Sequence, residues 1–98
     1  MEYRIEYSDA ALEHLSWLTK RQRVIVLSEV RDQLEQEPSV PTRNRKRLRP
    51  NVLAGWELRL GDIRVFYEIE GNSLTVDIRA IGIKKGNALY VAGEVVKL

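Results

Sequence analysis

The stretch that decides the fold is residues 56–80, WELRLGDIRVFYEIEGNSLTVDIRA. Trp56, Leu58 and Leu60 alternate with Glu57 and Arg59. Ile63, Val65, Tyr67 and Ile69 alternate with Arg64, Phe66, Glu68 and Glu70, and Leu74, Val76, Ile78 and Ala80 alternate with Thr75, Asp77 and Arg79. A period of two with one apolar set marks three half-buried strands. Gly61-Asp62 and Gly71-Asn72 interrupt the pattern, and residues that tolerate positive φ suit tight antiparallel turns, so the segment predicts a three-stranded meander. If both turns take two residues, Leu60 faces Ile63 and Glu70 faces Ser73. Counting back sets Arg59 opposite Arg64 and Arg64 opposite Arg79, a row of three guanidinium groups on the face away from the aliphatic side chains. Glu57, Phe66 and Asp77 form the neighbouring row.

Like charges directly opposite one another oppose folding, so the row points to a bound polyanion. Arginine forks match phosphate oxygens, and Phe66 beside them is positioned to stack a base. Since folding does not ask for the row, loss of Arg64 is expected to leave the fold unharmed. The alternative is a set of solvated arginines in surface pairs with Glu57, Glu68 and Asp77, each worth little.

Upstream, residues 39–55 hold Pro41, Pro50, two asparagines and no acidic residue, which reads as a basic loop with at most a brief turn of structure. Its Arg43, Arg45, Lys46, Arg47 and Arg49 form a second cationic patch suited to gripping phosphates in a salt-dependent way. Further upstream, Val24, Leu27, Val30 and Leu34 trace a helical stripe that Pro38 ends. Thr19 and Gln22 form a capping box at its start. Ala11, Leu12, Leu15 and Leu18 predict a shorter helix capped by Ser8 and Asp9. Residues 2–7 alternate again and predict a first strand, giving the order β-α-α-β-β-β: an α+β domain with a helical hairpin over a small antiparallel sheet.

Length and charge agree with that reading. The 98 residues suffice for one domain, 1–98, and 44% hydrophobic with 31% charged residues is globular composition. Without cysteine there is neither a disulfide framework nor a thiolate zinc site. The N-terminus has no signal pattern and no apolar run approaches the ~20 residues of a membrane span, so the cytoplasm is the expected location. Residues 1–40 carry five basic and eight acidic groups, and residues 41–98 carry eleven and six, which puts an anionic partner on the second half. His14, the only histidine, has no second histidine near it and is expected to serve packing or the surface.

The first strand and helical hairpin, the runs Trp56–Arg59 and Asp62–Tyr67, and the segment Gly82–Tyr90 together resemble the RelE/ParE superfamily of toxins from bacterial toxin–antitoxin pairs. The resemblance implies the fold above and, in its RelE branch, metal-independent and cofactor-free cleavage of messenger RNA in the ribosomal A site. Position by position it assigns phosphate contacts to Arg64 and Arg59, a basic role to Lys84 with Lys85 beside it, and nucleotide orientation or proton donation to Tyr90. Glu57 stands where the RelE pattern has a lysine, and a carboxylate there is a candidate base for the 2′-OH. The implied partners are a cognate antitoxin in a hetero-oligomer, the ribosome and messenger RNA. The alternatives within the superfamily are a ParE-like DNA gyrase inhibitor and an inactive homologue that only binds its antitoxin.

Overall fold

A computed structural model describes residues 2–98. Strand β1 (Arg4–Tyr7) leads into α1 (Asp9–Ser16) and α2 (Lys20–Leu34). Five further strands complete the meander and its flanks: β3 (Trp56–Leu60), β4 (Ile63–Glu70) and β5 (Thr75–Lys85), then β6 (Ala88–Val91) and β7 (Glu94–Val96). Before them, β2 (Arg45–Arg47) pairs with β3, so the basic segment contributes a strand where the sequence predicts only a loop. Three residues give too short a pattern to show alternation.

The caps form as their residues dictate. The Ser8 hydroxyl accepts from the Ala11 amide at 3.1 Å, and Thr19 with Gln22 makes the reciprocal box at 3.1 and 2.9 Å. The apolar stripe of α2 is rotated from the expected one: Val26, Val30 and Leu34 are buried, while Val24 and Leu27 are exposed.

One seven-stranded sheet runs in the order β2-β3-β4-β5-β6-β7, antiparallel throughout, with β1 added parallel to β5. The helical hairpin covers one face. Ala11, Leu15, Val26, Val30 and Leu34 pack there against Leu58, Val65, Tyr67, Val76 and Ile78 as the main core. Leu58, Val65 and Val76 are wholly buried, as the register requires. The Tyr67 hydroxyl donates to the Pro38 carbonyl at 2.9 Å, which ties the end of the α2 segment into this core.

The long β5 serves two partners along its outer edge. β1 pairs with Thr75–Ile78, and β6 pairs with Ile83–Lys85. Between them the Ser8 hydroxyl donates to the Arg79 carbonyl at 3.3 Å, and His14 Nδ1 accepts the Ile81 amide at 3.1 Å. The start and middle of α1 therefore satisfy backbone groups that no strand reaches.

Two local features change the expected β4–β5 register. The connecting loop spans 71–74 rather than two residues, with Leu74 at φ 48°, so Glu70 faces Thr75. Leu74 consequently lies outside the strand, and its carbonyl accepts the Arg4 amide at 2.8 Å, the entry to the β1 pairing. A bulge then shifts the register between Phe66 and Tyr67, so Phe66 faces Ala80, Tyr67 faces Ile78, and Arg79 is the extra residue. Arg64 faces Gly82 instead of Arg79. The bulge also reverses the facing of β5: Ile81 joins the main core, whereas Ala80 turns to the opposite face.

Candidate nucleic-acid interface

Residues directly opposite in a sheet share a face, so the ladders define what stands together. On the face away from the helices, one row reads Lys46, Glu57, Phe66 and Ala80, and the next reads Arg59, Arg64 and Gly82. Lys84 lies beyond, opposite Leu89. The expected pair Arg59–Arg64 is present. The expected third member is not: Arg79, expelled by the bulge, pairs with Asp77 on its own strand at 3.5 Å. Among the described residues the ion pairs are this one and Arg4–Glu6, so the cations of the candidate site have no carboxylate partner.

Arg64 and Arg59 differ sharply. Arg59 is exposed, while Arg64 is 9% exposed and its Nη1 donates to the Gly61 carbonyl at 2.5 Å and the Ile63 carbonyl at 3.1 Å. Arg64 therefore braces the β3–β4 turn, and its remaining guanidinium edge is what a phosphate would meet. The expectation that folding is indifferent to Arg64 is corrected accordingly.

Phe66 does not offer a stacking surface. It is fully buried in a second, smaller apolar cluster with Ala54, Ala80, Leu89 and Val91, capped by Leu48, Leu53 and Val96. The loop that supplies this cap is shaped by Asn51, whose Oδ1 accepts the Leu53 and Ala54 amides at 2.7 and 3.1 Å. A Cβ on Gly82 would lie 2.6 Å from the Tyr90 carbonyl, so only glycine lets β6 approach beneath Arg64.

The basic segment divides between the faces. Arg45 turns toward the helices, where its guanidinium binds the Gln33 carbonyl at the end of α2 and the Val40 carbonyl at 3.1 Å. Helix-end carbonyls lack intrahelical partners, so this arginine closes the helix rather than gripping a phosphate. The Arg47 guanidinium lies 5.8 Å from the Trp56 ring centre. Lys46 faces the Arg59–Arg64 side, and Arg43 and Arg49 are exposed in the flanking loops. Sequence reading missed Lys97, which lines a depression of about 570 Å³ with Lys84 and Asn87. A second depression, of about 540 Å³, is lined by Lys46, Arg49 and Asn51, and Leu98 borders both. Charge thus changes along the face, from cations around the β3–β4 turn and Leu98 to Glu68 and Asp77 at the other end.

Tyr90 is separated from this set. It pairs with Ile83, whose side chain packs against the main core, so Tyr90 and Lys85 lie on the helix side, with the Lys85 ammonium 5.6 Å from the Tyr90 ring centre. Arg59, Arg64, Lys84 and Glu57 occupy one face and Tyr90 the other. Glu57, 9% exposed, adjoins both Lys46 in its own row and the two arginines in the next.

The model of a family described as the ParE toxin of the type II toxin–antitoxin system, parDE, matches residues 5–87. No curated protein matches the chain. The fold is similar to a chain in the crystal structure of the RelBE2 toxin–antitoxin complex from Mycobacterium tuberculosis, with TM-score 0.71, 25% identity, 86% of this chain covered and 100% of that one. It is also similar to a chain of the archaeal RelE–RelB complex from Pyrococcus horikoshii OT3, with TM-score 0.69, 30% identity and coverage of 90% and 100%. With its helical hairpin, its sheet and a match that runs from β1 into the β5–β6 turn, this chain belongs to the RelE/ParE family of toxins from type II toxin–antitoxin systems.

Proposed function

We propose that this toxin cleaves messenger RNA on the ribosome and is held inactive by a cognate antitoxin. The observation that carries the reading is the adjacency of Glu57 to the Arg59–Arg64 pair on one sheet face. Attack of a 2′-OH on its neighbouring phosphate needs a base, cations for the developing phosphorane charge and a proton source for the leaving 5′-oxygen. Glu57 takes the 2′-OH proton. Arg59 and the free edge of Arg64 hold the non-bridging oxygens, and Lys84 neutralises the departing oxygen. Lys46, Arg49 and Lys97 extend the cationic path for flanking phosphates. No step needs a metal, and the ribosome supplies the strand geometry that a shallow face lacks.

A second reading, inhibition of DNA gyrase without catalysis, is favoured by the position of Tyr90. With that hydroxyl on the helix side, the Glu57 face offers no tyrosine among the described residues to protonate the leaving oxygen. The test uses purified toxin on programmed ribosomes, with cut messages mapped by primer extension. Wild-type protein should cut, Glu57→Gln should slow cutting by about 10²–10⁴-fold, and Arg59→Ala by about 10²–10³-fold. Intact messages together with blocked gyrase supercoiling would transfer the assignment to the second reading, and inactivity in both assays would leave an antitoxin-binding homologue.

A further inference from the structure

The helix side of the sheet carries a concave feature remote from the arginine pair. Where β1 leaves β5 and before β6 joins it, α1 crosses the gap, and beside it opens a cleft of about 320 Å³. Trp17, Ile81 and Ile83 supply apolar wall, and His14, Lys85 and Tyr90 supply the polar groups. No carboxylate lines it.

Each polar group is a hydrogen-bond donor. Because His14 Nδ1 accepts the Ile81 amide at 3.1 Å, the neutral ring carries its proton on Nε2. Desolvation lowers the His14 pKa, which favours that neutral form. Lys85 can only donate, and the Tyr90 hydroxyl beside it donates as well. The apolar wall is equally unusual: Trp17 is 60% exposed, although its ring packs so closely on Gly93 that a Cβ there would lie 2.9 Å away. A large aromatic left uncovered, beside a pocket whose polar side chains can all donate and whose lining includes no carboxylate, has the composition of an interface anchor.

We propose that this cleft receives a segment of a partner protein in which a carboxylate side chain stands beside an apolar one. The apolar side chain covers Trp17 and Ile81, and the carboxylate meets Lys85, Tyr90 and His14 Nε2. Charge complementarity selects the peptide over RNA: one ammonium on an apolar wall matches a single carboxylate, whereas a phosphate chain needs the run of cations found on the opposite face. The volume, at the low end for small-molecule pockets, suits one or two side chains. In a type II toxin the antitoxin is the natural supplier of such a segment, and the site is independent of whether the Glu57 face cleaves RNA.

The probe is the blocked peptide acetyl-Ala-Leu-Glu-Glu-Leu-Ala-amide, with a control in which both glutamates are glutamine. Titration into the full chain is followed by amide shifts in NMR and by Trp fluorescence, Trp56 being buried. The acidic peptide should saturate the shifts of Ile81, Trp17 and Tyr90. Replacing Lys85→Gln or Trp17→Ala, or using the glutamine peptide, should weaken binding about tenfold or more. Equal binding of the two peptides, shifts confined to Arg59, Arg64 and Lys84, or no binding at millimolar peptide would overturn the proposal. Displacement by a short RNA, or hexanoate binding as tightly as the peptide, would overturn it in favour of a nucleic-acid or small-molecule site.

Discussion

The two faces of the sheet are built on different principles. On the helix face, apolar side chains from both helices and three strands merge into one core whose members are almost wholly buried, with β1 adding partly buried ones at its edge. On the other face, Phe66, Ala80, Leu89, Val91 and Ala54 form a small patch under a loop and β7, with unpaired cations around it. One face concentrates burial; the other spends little on burial and holds charge in a fixed pattern. Truncation should expose the difference. Leu58→Ala, in the large core and fully buried, should cost about 3–5 kcal/mol, while Leu89→Ala, in a thin cluster able to collapse toward solvent, should sit at the low end of the range, about 2 kcal/mol. Urea unfolding of both variants measures this, and equal losses would mean that the faces share one cooperative core.

The same contrast explains what was legible in the sequence. The alternation of β3 and β4, the Ser8 and Thr19 caps and the Arg59–Arg64 hairpin pair depend on residues close in sequence, and the structure reproduces them. The Arg64–Arg79 pairing failed because it depends on the outer edge of β5, where β1, Ser8 and His14 compete for backbone groups from more than 60 positions away. Those contacts accompany the longer 71–74 loop and the bulge, and neither leaves a local signal beyond an unremarkable Leu74 and Arg79. Exposure of Val24 and Leu27 has a similar origin: a helical stripe fixes a face to within about a turn, and packing chooses the rotation. In the candidate site, Arg59, Arg64 and Glu57 were legible as a shared face and Lys84 only through the resemblance, whereas the burial of Phe66, the helix-closing role of Arg45 and the position of Tyr90 required the register.

The arginine pair sharpens the comparison at single-residue scale. Arg64 makes charge-assisted bonds to two carbonyls in a nearly buried setting, so Arg64→Ala should lose about 1–3 kcal/mol. Its register partner Arg59 is exposed and faces a like charge, so Arg59→Ala should stay within about 0.5 kcal/mol of wild type. Thermal melts of the two variants test this directly. If both leave stability unchanged, the Arg64 bonds to the turn contribute nothing net. The result also decides how toxicity is read: loss of activity in Arg59→Ala reports on the site, whereas in Arg64→Ala it reports on the site and the turn together.

The smallest effect lies where α1 closes the gap in β5. His14 Nδ1 can accept the Ile81 amide only while the ring is neutral, and desolvation lowers its pKa below the ordinary 6.5, with Glu13 opposing the shift. Lys85 and Tyr90 face the same cleft. In the unfolded chain the ring protonates near 6.5; in the folded chain it resists until a lower pH. Between those values the unfolded state binds the extra proton, so stability rises with pH. The contribution is complete above about pH 6.5, erodes as pH falls through that value, and levels off below the folded pKa. His14 is the only histidine, the side-chain type whose ordinary pKa falls closest to this range. Melting temperatures taken from pH 8 to pH 5.5 should fall modestly for wild type. His14→Asn, which keeps an acceptor near Nδ1 but cannot take up a proton in this range, should flatten the profile. An unchanged slope in the variant would show that the ring is not what couples α1 to the open edge of β5.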